Sequence, residues 1–201
     1  GAHLLDGLRT AIAEVGGRAF AKTAEKSAKN DARIRAHVEP ESVLRELTES
    51  QDVLMQSIGP PGRCRYLVVQ PWEEDICRAN EFRLVISAWQ VVGITQQTWS
   101  RCVGHTPESA SAAATPLLRL WYEELIGVCP YADCTIDEFV VGDVARLIEV
   151  NPCGLWGASG SGLFHWLHDR DALSGAGPVP VRVVVPRPDK FTLSPCALGA
   201  P

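Results

Sequence analysis

Lysine is scarce in this chain. Only four of its 201 residues are lysine, against fifteen arginines, and the formal net charge is −5. Three of the four, Lys22, Lys26 and Lys29, fall within eight residues of one another. An acidic chain with so few lysines lacks the broad basic face of most nucleic-acid-binding proteins. We therefore expect no nucleic-acid partner, and the lysine cluster requires a local explanation.

Long apolar runs and paired cysteine motifs are also missing. No run approaches the roughly 20 residues that a membrane-spanning helix needs. No basic stretch followed by an apolar one marks a signal peptide. The seven cysteines are odd in number and no two of them show Cys-x-x-Cys spacing, which argues against a disulfide framework or a zinc site. These absences predict a cytoplasmic protein with reduced cysteines and no membrane partner.

Hydrophobic periodicity predicts a mixed α+β chain with largely antiparallel strands. At 46% hydrophobic residues, the chain can form one ample core or two small lobes. We predict helices at 4–14, 40–50, 106–128 and 163–173. We predict strands at 18–23, 53–57, 65–70, 81–87, 90–97, 134–141, 144–150 and 179–185. Four tryptophans are expected in the core rather than on a base-stacking surface: Trp89, Trp99, Trp121 and Trp166.

The segment 147–156, with the sequence LIEVNPCGLW, is the richest in metal-binding side chains. Glu149 and Asn151 are two apart in a predicted strand and therefore point to the same side. Asp137, on the preceding strand, can face them. Two carboxylates and an amide oxygen are hard ligands suited to a Mg²⁺ ion that also holds phosphates. The alternative is a half-solvated strand that turns its polar residues outward.

The lysine cluster lies on and just after a short apolar strand. Lys22 belongs to the strand, and Lys29 follows in a turn of small residues. Two ammonium groups beside one loop can bracket a polyphosphate as point charges. Lys26 competes with Lys29 for the second place, and a solvated basic turn is the alternative.

Arg83 stands in the middle of an apolar strand, where an exposed charge is unusual. Its guanidinium can form forked hydrogen bonds with a phosphate or a carboxylate. A structural ion pair with Glu81 or Glu149 is the alternative.

Taken in order, these motifs resemble those of ATP-grasp proteins. More narrowly, the chain is similar to the cell division cycle protein 123 family and to the reduced ATP-grasp clade defined by one arginine and two lysines. The matching segments are the apolar hinge strand with its tryptophan at 67–72, E-F-R at 81–83, G-I-T-Q at 93–96 and L-I-E-V-N-P-C-G at 147–154. Glu149 replaces the second aspartate of the family's metal motif, and the resemblance covers roughly 17–185.

The resemblance implies an α+β ATP-grasp fold with two lobes, 1–70 and 71–201, clasping a nucleotide. The second lobe would carry the metal site. The lysine strand begins almost at the N-terminus of this sequence, so we expect no separate N-terminal domain of the kind that helps typical ATP-grasp ligases to hold the acceptor.

The resemblance also assigns roles to individual residues. Lys22 and Lys29 would contact the phosphates of ATP. The adenine would be flanked by the hinge residues Gln70, Pro71 and Trp72. Arg83 would stabilise charge on the γ-phosphate or an acyl-phosphate, which makes Arg83 and Lys29 the catalytic candidates. Mg²⁺ would be held by Asp137, Glu149 and Asn151.

Two functions fit this set. The first is an ATP-dependent carboxylate–amine ligase, with ATP, a carboxylate and an amine as its substrates. The alternative, which the narrower family resemblance implies, is an ATP-binding chaperone that assembles a protein client. The family's eukaryotic client is a translation initiation factor subunit, whereas the low-lysine, arginine-rich and alanine-rich composition is typical of GC-rich bacterial genes and favours the ligase.

Overall fold

The computed structural model describes residues 2–24, 35–51, 53, 66–152, 160–186 and 192–197. The chain divides into two compact units, Gly1–Glu74 and Asp75–Pro201. Lys26 and Lys29 lie outside the described residues, so the second phosphate lysine stays a prediction.

In the described part of the unit Gly1–Glu74, the helices α1 (Ala2–Glu14) and α2 (Pro40–Glu49) pack on a two-stranded antiparallel sheet. The strands of this sheet are β1 (Ala19–Thr23) and β2 (Leu67–Pro71). The core contains Leu8 and Ile12 of α1, Val43 and Leu47 of α2, and Ala19 and Ala21 of β1. Because side chains alternate along a strand, the sheet turns its other face away from this core. That face carries Phe20, Lys22, Val68 and Gln70, since Phe20 pairs with Gln70 and Lys22 with Val68.

The unit Asp75–Pro201 is built on a six-stranded sheet of order β6-β5-β3-β4-β7-β8. The strands are β3 (Glu81–Ser87), β4 (Gln90–Gln96), β5 (Cys134–Val141), β6 (Val144–Pro152), β7 (Pro180–Val185) and β8 (Thr192–Ala197). All neighbouring strands are antiparallel except β4 and β7, which are parallel. This agrees with the predominantly antiparallel sheet expected from the sequence.

One long helix, α3 (Pro107–Leu120), covers one face of the six-stranded sheet and continues as a π-helical turn, Trp121–Leu125. Its start is fixed by a capping box. The Thr106 side chain accepts a hydrogen bond from Ser109 N, and the Ser109 hydroxyl accepts one from Thr106 N. This pairing satisfies amide groups that a helix leaves open at its N-terminus. Leu117 and Trp121 are fully buried against the sheet core.

The opposite face of this sheet is partly covered by the segment that follows Gly160. Phe164 and Leu173 pack on Val85 and Val92. The approach is close: a Cβ on Gly93 would lie 2.8 Å from the Phe164 ring. The strand alternation predicted for 81–87 is therefore confirmed, with its even-numbered residues under the helix.

Three expectations about local structure were wrong. The segment 163–173 is a series of turns that ends in one 3₁₀ turn, Ala172–Ser174, and not a helix. Val53, where a strand was predicted to begin, is helical. Trp121 is buried, but Trp99 is 64% exposed, Trp166 43% and Trp89 36%, so these three are surface residues. None of the helices in the described part of the chain is long and apolar enough to cross a membrane.

Candidate functional site

A row of polar side chains crosses the face of the six-stranded sheet that lies opposite α3. Strand pairing places Glu149 of β6 opposite Asp137 of β5, Asp137 opposite Arg83 of β3, and Arg83 opposite Thr95 of β4. Directly paired residues in neighbouring strands hold their side chains about 5 Å apart on one face. The sheet register therefore brings together an arginine and two carboxylates that are far apart in sequence.

Arg83 and Asp137 form a forked ion pair. Arg83 Nε donates to Asp137 Oδ1 and Nη2 donates to Oδ2, each over 2.7 Å. Only 12% of the Arg83 side chain and 3% of that of Asp137 are exposed. Burial alone would lower the pKa of Arg83, but the hydrogen bonds and charge of Asp137, with the charge of Glu149, outweigh it and raise the pKa. Arg83 is therefore held as a cation, and its forked hydrogen bonds go to Asp137.

Asn151 completes a small group of oxygen-bearing side chains. Its Nδ2 lies 3.5 Å from Asp137 Oδ2 and 3.5 Å from Glu149 Oε1. A bulge in the pairing of β5 with β6, between Asp137 and Glu138, lies beside this group. Such bulges re-aim side chains and are frequent next to functional sites.

This group fits the donor set that Mg²⁺ prefers. The amide oxygen and nitrogen of Asn151 exchange places by a simple flip, and each Asp137 oxygen keeps a lone pair beyond its bond to Arg83. Two carboxylates and one carbonyl oxygen suffice for Mg²⁺, which retains several waters. Within the described ranges no group of three or more His, Cys, Asp or Glu residues is placed to hold a metal ion, so this mixed set is the candidate that remains.

The residues assigned to ATP in the first unit lie on and beside the half-buried face of its sheet. Lys22 and Gln70 share that face. Pro71 is exposed at the end of β2, and Trp72 N donates to Arg18 O over 2.9 Å. The buried indole N–H of Trp72 has no hydrogen-bond partner among the residues described.

A cavity of about 680 Å³ opens at Arg83. It is lined by residues of three loops together with Arg83: Arg78, Gln97, Thr98, Trp99, Ser100, Arg101, Gly160, Ser161, Gly162 and Trp166. Its volume is within the range of small-molecule sites, roughly 300–1,000 Å³.

Each of the three loops is fixed by a polar side chain. Asn80 accepts from Cys77 N over 2.8 Å and donates to Asp75 O over 2.7 Å, which holds the loop that carries Arg78. Gln96 Nε2 donates to Thr98 O and Arg101 O, over 2.5 and 2.7 Å, while its Oε1 accepts from Val184 N.

The third loop, which contains Gly160, is held by Arg83. Arg83 Nη1 donates to Gly160 O over 2.7 Å, and Leu163 N donates to Thr95 Oγ1 over 3.2 Å. Gly162 has a φ of +63°, and a Cβ there would collide with the Thr95 side chain. The walls of the cavity are therefore set by the protein itself.

No sequence motif pointed to the loop arginines Arg78 and Arg101. Each follows a motif that was identified: Arg78 comes shortly after the hinge strand, and Arg101 comes five residues after the last residue of G-I-T-Q. Functional side chains are often carried by loops that a rigid sheet positions. Arginines in the loops that flank the E-F-R hairpin were the available signal.

Glu138 lies next to Asp137 but on the opposite face of the sheet, where it is fully buried. Neither of its oxygens has a hydrogen-bond partner among the described residues. Burial, and to a smaller degree the charge of Asp137, raises the pKa of Glu138 to about 9. Glu138 is thus a neutral acid at pH 7 and does not belong to the metal group.

Among solved structures, two structures of one protein are similar to this chain over most of its length. The chain is similar to Cdc123 from Schizosaccharomyces pombe, with a TM-score of 0.75 and 19% identity over 91% of this chain and 78% of that one. A C-terminally truncated Cdc123 from the same organism gives a TM-score of 0.76 and 18% identity, over 92% and 79%. A RimK domain ATP-grasp protein from Sphaerobacter thermophilus is more distant, with a TM-score of 0.47 and 19% identity over 85% and 55%.

The sequence matches no protein-family model and no curated protein. At the identities just given, the likeness to Cdc123 concerns the fold. The mixed α+β fold class and the resemblance of the fold to that of Cdc123, both predicted from the sequence, are confirmed at that level.

Proposed function

We propose that this chain is an ATP- and Mg²⁺-binding ligase that joins a carboxylate to an amine through an acyl-phosphate. The observation that carries the proposal is the buried Arg83–Asp137 pair, which has the oxygen ligands of Glu149 and Asn151 on one side and a preformed cavity on the other. A metal group and a cationic side chain beside a substrate-sized cavity are what phosphoryl transfer to a carboxylate needs.

In this proposal the residues that the family resemblance assigns to ATP contact the nucleotide. Lys22 and Lys29 bind phosphate oxygens, and the hinge residues Gln70, Pro71 and Trp72 flank the adenine. Asp137, Glu149 and Asn151 hold Mg²⁺, which when bound supplies positive charge that neutralises the transferring phosphoryl group.

The reaction proceeds in two displacements. A carboxylate oxygen attacks the γ-phosphorus, the bond to the bridging oxygen breaks, and ADP leaves. The amine nitrogen then attacks the acyl carbon, the acyl carbon–oxygen bond breaks, phosphate leaves, and the amine releases a proton to solvent. Arg83 and Lys29 stabilise the charge on the moving phosphoryl oxygens, and the loop walls hold the carboxylate in reach.

A calorimetric titration with ATP and Mg²⁺ tests the nucleotide site. We expect the native chain to bind, and Glu149→Gln to weaken ATP–Mg²⁺ binding by at least about tenfold, because a metal ligand loses its charge. Asp143→Asn is the matched control, since Asp143 is exposed on the turn of the same hairpin. The absence of binding in the native chain, or equal affinities in the two variants, contradicts the proposal.

An ATP-binding assembly chaperone is the second candidate. Its support is the extent of the likeness to Cdc123, which covers 91% of this chain. Turnover separates the two functions. A ligase releases ADP and phosphate only when carboxylate and amine are both supplied, whereas a chaperone binds ATP with little turnover and requires a protein partner.

A further inference from the structure

We propose that the cavity beside Arg83 binds a carboxylic acid that carries a second anionic group. The inference rests on the proposed function, because it names the class of acid that the ligase would activate. The acid can be a free dicarboxylate or the side chains of an acidic peptide, since both present the same chemistry.

The charge of the cavity is one-sided. Arg78, Arg83 and Arg101 line it, and none of the lining residues in the described part of the chain is an aspartate or a glutamate. Within the described parts of the chain, the guanidinium groups of Arg78 and Arg101 make no ion pair or side-chain hydrogen bond. In a chain with a net charge of −5, such a concentration of positive charge favours an anionic ligand.

The three arginines are buried to different degrees, and this arrangement suits a ligand with two anionic groups. Arg83 is largely buried and contacts the Asp137 group, whereas Arg78 and Arg101 are exposed. A carboxylate beside Arg83 would be next to the metal ligands, where phosphoryl transfer is proposed. A second carboxylate on the same molecule would reach Arg78 and Arg101 at the mouth. Guanidinium groups bind carboxylates in a forked, charge-assisted geometry.

The remaining lining residues suit the carbon chain between those groups. Trp99 and Trp166 present exposed indole rings, which is unusual for such large apolar side chains. Thr98, Ser100 and Ser161 add hydroxyl groups. Aromatic walls with a few polar groups and charged ends are typical of sites for small organic anions.

The experiment titrates the full chain with glutarate and follows tryptophan fluorescence, to which Trp99 and Trp166 contribute two of the six tryptophans. Butyrate is the matched ligand with one carboxylate, and acetyl-Glu-Glu-amide represents a peptide source. We expect glutarate, the peptide or both to bind at least about tenfold more tightly than butyrate, because a second charge-assisted contact is made. The tighter of the two ligands identifies the source.

Substitutions then locate the binding. Arg78→Ala and Arg101→Ala should each weaken binding of the tighter dianion by about tenfold and leave butyrate binding nearly unchanged. Arg170→Ala is the control, because Arg170 is an exposed arginine of the same unit that does not line the cavity. Melting temperatures of the variants show that the fold is kept.

Three results overturn the proposal: no binding of either dianion, affinities of both dianions equal to that of butyrate, or displacement of the dianion by ADP, which would make the cavity part of the nucleotide site. An ATP titration of the same preparation separates the two hypotheses. Dianion binding without ATP binding rejects the ligase and keeps the anion site. ATP binding without dianion binding does the reverse.

Discussion

Two forked arginine–carboxylate pairs lie on the same face of the six-stranded sheet, and their surroundings differ. Arg83 binds Asp137 with two bonds of 2.7 Å, and Arg182 binds Asp169 with two bonds of 2.6 Å. Both arginines pair with Thr95 across the sheet. By pair geometry alone, the two would be assigned the same role.

The second pair is enclosed in local structure. Asp169 also accepts from His165 N over 2.7 Å, and Arg182 donates to Leu163 O while its guanidinium lies 4.4 Å from the centre of the Phe164 ring. All of these contacts fix the turns after Gly162. The first pair instead adjoins Glu149, Asn151 and the cavity. The neighbours of an ion pair, rather than the pair itself, thus separate a structural role from a candidate functional one.

The largest expected effect comes from removing one partner of the first pair. Asp137→Ala leaves Arg83 buried without its counter-charge, which should lower the free energy of unfolding by about 3–5 kcal/mol. Urea denaturation without nucleotide measures this, with Asp143→Ala as the exposed control. A loss as small as that of the control would mean that water already screens the Arg83 charge.

A third carboxylate, which has no arginine, sharpens the comparison. The pKa of Glu138 is raised to about 9. Its burial therefore costs no folding stability below the ordinary pKa of 4.5, and the cost grows as pH rises toward 9. Glu138→Gln should therefore raise the free energy of unfolding by roughly 2–3 kcal/mol at pH 7 and leave it unchanged at pH 4. Urea denaturation with EDTA at the two pH values checks this, and a gain that does not change with pH would contradict it.

The smallest effect is expected at the second pair. Asp169→Asn should cost about 1–2 kcal/mol, because the forked bonds lose their charge but keep an acceptor. Hydrogen bonds from Arg182 hold the pKa of Asp169 below its ordinary value of 3.8. The stability that ionised Asp169 contributes is thus complete above pH 3.8 and is lost as pH falls through its folded-state pKa. Denaturation from pH 7 downward should show the native chain and the variant converging in acid.

The sequence was sufficient for elements whose signals are local. Thr106 and Pro107 marked the start of α3, and alternation along 81–87 predicted which side chains lie under the helix. The convergence of Asp137 with Glu149 also followed from a short hairpin, whose turn contains Gly142 with a φ of +63°.

Features that depend on distant partners could not be predicted. The sequence offered Glu81 and Glu149 as partners of Arg83, but the pairing of β3 with β5 selected Asp137. The segment 163–173 has a helical pattern, yet Asp169 and Arg182 bind its backbone groups and favour turns instead. Side chains that compete for backbone hydrogen bonds in this way override helical periodicity.

Gln96 holds one wall of the cavity beside Arg83 in place. Its amide joins β7 to the loop of Trp99 and Arg101 through three hydrogen bonds, all of them between groups of the protein. A ligand that enters such a frame loses its own freedom of motion but does not have to order the protein. The selectivity of the cavity for one acid over another is then decided by the fixed positions of its arginine charges. Exchanging an arginine at the mouth would change which acid is accepted while the frame stays as it is.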